Sequence, residues 1–470
     1  MRKKWISTLL AAVMTACAVT TTAFAKESTV PPSVISEAYV VMDAETGQVL
    51  IEKNMNRREY PASITKILTV ALALENSDLD DRVTVSQDAV YAIEPNSSHI
   101  ALQPDEVVRM RDLLYATMLP SANDAANVAA EYVGGSMEKF AEMMNKKAAE
   151  LGCENTHFVN ANGLPDDDHY TTAYDMALIT KYAIGVTGFL DIFGYQDVYQ
   201  ISPTNKQEQA RRFGTEHMML VESKYYYEGT LGGKLGWTEE AKHTIVTLAR
   251  RNDMTLICVA MKSPQRYDKF NDSIALFDYC FDNFEPVAIP GDQLKTFSVS
   301  HYRSGGSAEN VSISGEESYR FLVHKSVGKD AVEISYNVPE YYSDENIDPS
   351  VSFSVDSGSM YGEIGSFPMA FQTVAIEELP AEQNQEDVPK KTFADQFLGV
   401  MKIAGYGALG LLGLILLAFL VMLVIRFCNK YRRWHRRRAR NRRIAQLDDP
   451  DLIVHRPQRR GSAPPPGRRR

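Results

Sequence analysis

Short apolar runs rich in Val, Ile and Tyr at residues 38–42 and 49–53 flank the polar stretch Ala44-Glu45-Thr46-Gly47, which predicts two paired strands joined there. The pattern then changes. Residues 63–74, 110–118, 124–133 and 137–151 repeat apolar side chains at helical spacing. Thr172, with Asp175 three positions on, predicts the capped start of another helix. Strand signals return at Lys234, at residues 244–249 and at residues 255–261, the last two joined by Arg251-Asn252-Asp253. A helix near residues 273–281 closes the series. Hairpin, helical block, strands and closing helix together predict an α+β domain over residues 34–284, built on a largely antiparallel sheet. Beyond it, the short alternating segments 294–299, 320–324, 332–336 and 370–376 predict a small all-β domain over residues 285–376.

Neither end of the chain follows these patterns. Arg2, Lys3 and Lys4 precede an apolar run and the small-x-small site Ala23-Phe24-Ala25, the pattern of a signal peptide over residues 1–25. Residues 377–402 are acidic and polar, a solvated stalk. Residues 403–425 are 23 uncharged, mostly apolar positions, and at about 1.5 Å per residue they span roughly 34 Å, enough for a bilayer core of about 30 Å. Ten Lys/Arg and no acid follow between residues 426 and 443, so the tail, residues 426–470, is expected on the cytoplasmic side. These features predict a single-pass membrane protein with its folded part outside the cytoplasm.

Charge supports that division. The whole chain carries −10, the tail +13 and the signal segment +3, which leaves residues 26–425 at −26. Such an acidic exterior argues against a nucleic-acid partner, and the basic tail beside a span is better suited to anionic lipid head groups. Cys153, Cys258 and Cys280 are an odd number of exterior thiols and imply no disulfide framework.

Three short motifs carry candidate chemistry. Ser63-Ile64-Thr65-Lys66 puts a hydroxyl and an amine on one helix face, one turn apart. A serine hydroxyl is a poor nucleophile until a base takes its proton, and a buried lysine can serve when burial holds it neutral. The bland reading is a helix cap beside a solvated lysine, and Ser136–Lys139 and Ser326–Lys329 repeat the same spacing. What marks the first tetrad is its surround of Ile64, Ile67, Leu68, Ala71, Leu72 and Leu74. The second motif is Ser121-Ala122-Asn123, where Ser121 and Asp124 also fit a capping box. The third is Lys234-Leu235-Gly236, followed by Trp237. Its glycine permits close backbone approach by a ligand, while an edge-strand lysine is its bland reading.

In that order the three motifs resemble the penicillin-binding protein and serine β-lactamase superfamily. Longer phrases narrow the resemblance to the low-molecular-mass D-alanyl-D-alanine carboxypeptidases. They are Tyr60-Pro-Ala-Ser63, Leu119-Pro-Ser121-Ala-Asn123-Asp124, Met144-Asn145 with Leu151-Gly152, Asn155-Thr156-His157-Phe158, Gly163-Leu164, and Thr172-Ala173-Tyr174-Asp175. The resemblance covers residues 34–284. It implies a penicillin-binding-type transpeptidase fold and removal of the terminal D-alanine from peptidoglycan stem pentapeptides through a Ser63 acyl-enzyme. Lys66 is then the proton acceptor and Ser121 a proton relay. Asn123 and Lys234 hold substrate beside Gly236, and the N–H groups of Ser63 and Trp237 form the oxyanion hole. It implies no metal or organic cofactor, and β-lactams as acylating inhibitors. Leu235 departs from the family's Thr or Ser. That loses a hydrogen bond to the substrate carboxylate, worth about 1.5–3 kcal/mol, unless Thr238 faces the cleft. Lys242 stands where a glycine is expected.

The rivals are a D,D-endopeptidase or transpeptidase, a secreted β-lactamase and a non-catalytic wall-peptide sensor. No E-x-x-x-N signature stands between the second and third motifs, and no G-x-S-x-G elbow occurs in the chain.

Overall fold

The computed structural model describes residues 30–302, 308–339, 341–342, 348–355 and 363–373. The signal segment, stalk, apolar run and basic tail read from the sequence lie outside the described residues. Among the described residues, no helix is long and apolar enough to cross a membrane.

The larger part is built on a five-stranded antiparallel sheet. Its strands are β1 (Ala38–Asp43), β2 (Val49–Lys53), β3 (Thr230–Thr238), β4 (Lys242–Arg251) and β5 (Met254–Ser263), in the order β2-β1-β5-β4-β3. Tyr39 lies opposite Ala260, and Lys234 opposite Val246. β4 and β5 turn through Asn252 and Asp253, both at positive φ. That geometry is the tight hairpin expected where a short polar pair separates two apolar runs.

Both sheet faces are buried. Val40, Met42, Val246, Leu248, Ile257, Val259 and Met261 pack into one core with α1 (Lys66–Asn76), α2 (Met110–Met118), α3 (Asn123–Gly134), α4 (Met137–Glu150) and α5 (Ala173–Ile184). Tyr39, Val41, Ile245, Leu256 and Cys258 face the other way, against Phe270, Phe277 and Phe281 of α6 (Asp268–Asn283). This two-sided burial explains why β4 and β5 read as continuous apolar runs. Cutting Phe277, fully buried, to alanine would cost about 3–5 kcal/mol. Thr172 caps α5, its Oγ1 accepting from the Asp175 N–H at 3.0 Å.

α1 is central. Residues 66–73 are all buried, so the helix meets solvent only in its last turn, and it stops where Ser77 turns extended. The sequence reading started this helix at Ser63. Instead, residues Ala62–Thr65 form a 3₁₀ turn and the α-helix begins at Lys66. Ala62, the first residue of that turn, has φ 51.

The helix α6 runs straight into a β-rich part whose strand Phe284–Pro290 pairs with Ser318–His324. Phe297–Tyr302, Ala308–Ser314 and Ala370–Thr373 form a second sheet, and Val332–Asn337, Ser350–Val355 and Glu363–Pro368 a third. They enclose Leu294, Ile313, Phe321, Val351 and Phe353. Gln48, beside the β1–β2 turn, clasps this part to the first. Its amide exchanges two hydrogen bonds with the Leu322 backbone, at 2.7 and 2.8 Å. Arg320 adds an ion pair to Glu45 at 2.7 Å.

Candidate active site

All three motifs converge on one cleft. Ser63, Ser121, Lys234, Leu235, Gly236 and Trp237 line a space of about 350 Å³. The 3₁₀ turn lifts Ser63 to the cleft floor, and the first residue of α1 places Lys66 directly beneath it.

Lys66 is fully buried and its Nζ meets three oxygens. Asn123 Oδ1 lies at 2.6 Å, Ser63 Oγ at 2.9 Å, and the Asn162 backbone carbonyl completes the set. Two of these, an amide oxygen and a peptide carbonyl, can only accept. A neutral amine gives each of them an N–H and keeps its lone pair for the Ser63 hydroxyl. Burial holds the Lys66 pKa well below the usual 10.5, the nearby Lys234 ammonium pushes the same way, and Asp124 opposes both. Burial thus favours the neutral amine, the form able to accept the Ser63 proton across the 2.9 Å contact.

Backbone crowding fixes the nucleophile turn. A Cβ at Gly163 would lie 1.9 Å from the Ala62 carbonyl oxygen, and one at Gly236 2.9 Å from the Ser63 amide nitrogen. Only glycine admits both approaches. Thr244 on β4 donates to the Pro61 carbonyl at 2.9 Å. His169 approaches Thr65 Oγ1 through Nε2 at 3.0 Å while Nδ1 accepts from the Val159 N–H, so Nε2 carries the proton. Burial drops the His169 pKa to about 3 and keeps the ring neutral.

Ser121 does not cap α3 as the capping-box reading had it. The N-cap is Ala122, with no side-chain bond, and Ser121 sits at φ 63 with its Oγ 2.8 Å from Lys234 Nζ. Holding a non-glycine residue there costs of order 1–3 kcal/mol. The neighbouring Asp124 carboxylate is spent on the Ile100 and Leu102 N–H groups. Asn123 lies one turn above Asn127 on α3.

Lys234 is buried on β3 and also bonds the Leu235 carbonyl at 2.9 Å. Burial lowers its pKa to about 7; Glu216 raises it and Lys269 lowers it further. Leu235 packs partly into the α6-side core while lining the cleft. Thr238 does not replace the missing hydroxyl: its Oγ1 accepts from the Ala241 N–H at 3.0 Å, and it does not line the cleft. Lys242, where a glycine was expected, takes the left-handed conformation at φ 53. The other S-x-x-K matches are structural. Ser136 caps α4 by accepting from the Lys139 N–H, and Ser326 bonds His324 Nδ1.

The motif reading missed the opposite cleft wall, formed by Glu216, His217, Arg266, Lys269 and Phe270. Lys269 is 4% exposed and in no ion pair among the described residues, and burial lowers its pKa to about 8. Its sequence signal, a lysine on the buried face of α6, was available. It also missed Asn127 and Asn162, which lie among small residues with no motif of their own. Among the described residues no group of three or more side chains is arranged to hold a metal, and Cys153, Cys258 and Cys280 are free thiols.

The sequence profile of the D-alanyl-D-alanine carboxypeptidase family matches residues 25–265. The chain is 32% identical over 294 residues to D-alanyl-D-alanine carboxypeptidase DacF of Bacillus subtilis, covering 60% of this chain and 72% of that protein. It is 31% identical over 379 residues to DacC of Escherichia coli, covering 78% and 88%. Penicillin binding protein 5 from Haemophilus influenzae superposes with a TM-score of 0.59 at 25% identity, over 73% of this chain and 98% of that one. The profile match spans more than half of the chain, and the chain belongs to the D-alanyl-D-alanine carboxypeptidase family.

Proposed function

We propose that this protein is a serine D-Ala-D-Ala carboxypeptidase that removes the terminal D-alanine from peptidoglycan stem pentapeptides. The carrying observation is the full burial of Lys66 with its Nζ 2.9 Å from Ser63 Oγ, within reach of that hydroxyl's proton. Ser63 attacks the penultimate D-Ala carbonyl and passes its proton to Lys66. The tetrahedral oxyanion is held by the N–H groups of Ser63 and Trp237, the first of which backs onto Gly236. The proton then leaves Lys66 by way of Ser121, bonded to Lys234, for the departing D-alanine nitrogen, so Lys66 is neutral again. Water attacks the ester, Lys66 takes its proton, and that proton returns to Ser63 Oγ as the acyl group leaves. A β-lactam acylates Ser63 by the same first step.

The substrate's terminal carboxylate is met by Lys234 and Lys269, with Arg266 at the rim. Lys269 supplies the positive charge that Leu235 cannot replace with a hydroxyl, and Asn123 holds the peptide backbone. The catalytic part works outside the cytoplasm, tethered by the apolar run at residues 403–425, with the basic tail on anionic lipid at the inner face. That topology rests on the sequence pattern alone.

The test is D-alanine release from a pentapeptide ending in D-Ala-D-Ala, wild type beside Ser63→Ala. Release that vanishes in the variant is the expected result. A folded protein that forms a penicillin adduct at Ser63 but releases no D-alanine would overturn the peptidase reading and favour a wall-peptide sensor, the outcome Leu235 motivates.

A further inference from the structure

Helix α3 reaches Lys66 twice. At Asn123 it does so directly, through Oδ1 at 2.6 Å. One turn later, Asn127 reaches it through an intermediary. Asn127 Oδ1 accepts from Asn162 Nδ2 at 2.8 Å, and its own Nδ2 donates to the Ala89 and Ala92 carbonyls, each at 3.1 Å. Asn162 Oδ1 in turn accepts from the Leu164 N–H at 2.8 Å. With both ends of its side chain bonded, Asn162 is held in one orientation, and its backbone carbonyl takes an N–H of Lys66. Asn127 and Asn162 are both 2% exposed, and neither lines the cleft. Buried amides this fully bonded are rigid, because every alternative leaves a polar group without a partner.

We propose that Asn127 is a positioning residue for the general base, fixing Asn162 so that the Lys66 lone pair faces Ser63. This rests on the reading of Lys66 as the base. Losing the Asn162 acceptor removes a partner that favours the ammonium form, so Lys66 deprotonates at lower pH. Its lone pair also loses direction. A carboxylate at position 127 acts in the opposite sense: its charge favours the ammonium, so Lys66 deprotonates at higher pH.

The experiment is the pH–rate profile of Ser63 acylation by a fluorescent penicillin, using the purified full chain, with thermal unfolding as the check on folding. Asn127→Leu is expected to lower the plateau rate by roughly tenfold, a fraction of the 10²–10⁴ that a general base supplies. It is also expected to move the rising limb to lower pH. Asn127→Asp is expected to move that limb to higher pH. Opposed shifts in two near-isosteric variants cannot come from general destabilisation. Profiles that keep the wild-type limb in both variants, whether or not the plateau falls, would overturn the proposal. If Asn127→Leu does not fold, the Asn127→Asp limb alone decides. Lys66→Met separates the two readings: if it keeps the wild-type profile, the base assignment fails, whatever Asn127 does.

Discussion

The two walls of the cleft are built on opposite terms. On the Ser63 side the polar groups are already bonded: Lys66 to three oxygens, Thr65 to His169, Asp124 to three backbone amides. On the β3–α6 side, Lys269 is buried without an ion pair among the described residues, and the Leu235 side chain offers no polar atom. The first wall is preorganised, so nothing there must rearrange as charge develops on the scissile carbonyl. The second carries buried positive charge at Lys234 and Lys269 with no ion pair among the described residues. Chemistry and recognition are thus separable, and substitutions on the two walls should change different kinetic constants.

The largest effect breaks the first wall. Lys66→Met should cut kcat for D-alanine release by about 10²–10⁴-fold, the usual worth of a positioned base, with little change in KM. Stopped-flow acylation separates this from slow deacylation. A variant that loses only binding would erase the contrast between the walls.

Next come two tests of the second wall. Lys269→Met should raise KM for a pentapeptide with a free terminal carboxylate by about 10- to 100-fold, while a carboxamide-terminated analogue is unaffected. The pH dependence of KM tests Lys234. Its pKa is lowered to about 7, chiefly by burial, and only the charged form attracts a carboxylate. KM of the free enzyme should therefore be low below pH 7 and rise above it, whereas kcat, which needs neutral Lys66, should not fall in the same range. An equal fall of kcat across pH 7 would mean that the two lysines titrate as one unit. Leu235→Thr, which restores a donor, should improve kcat/KM by about tenfold.

The two walls also differ in how far the sequence disclosed them. The Ser63 wall was legible because its residues stand at fixed short spacings and the lysine sits in an apolar helix. The β1–β2 and β4–β5 hairpins were legible as apolar runs split by short polar turns, and the helix Met110–Met118 from its spacing. The strand pairs Arg82–Thr84 with Val107–Arg109 and Tyr199–Ile201 with Arg211–Phe213 were not. Three residues are too few for a period to register. The capping-box reading of Ser121 failed because local spacing cannot show a lysine arriving from a strand 113 positions away. Lys269 showed only as a lysine on the buried face of α6, and Glu216, on the loop before β3, gave no local signal; that both line one cleft is a fact of tertiary packing.

The smallest predicted effect concerns the joint between the walls, the β3–β4 turn. Lys242 holds φ 53 there, a conformation that costs a side chain with a Cβ about 1–2 kcal/mol and glycine almost nothing. Against that relief stand the greater freedom of glycine in the unfolded chain, about 0.4–1 kcal/mol, and the loss of the exposed Lys242–Glu239 ion pair at 2.7 Å. Exposed pairs contribute little, so strain should dominate and Lys242→Gly should raise Tm slightly, by about 1–3 °C. Acylation of Ser63 should be unchanged, because neither Lys242 nor Glu239 lines the cleft. If Tm rises and acylation slows, the turn is helping to hold Trp237 and Gly236 against Ser63. The strain at Lys242 would then belong to the recognition wall and not only to the hairpin.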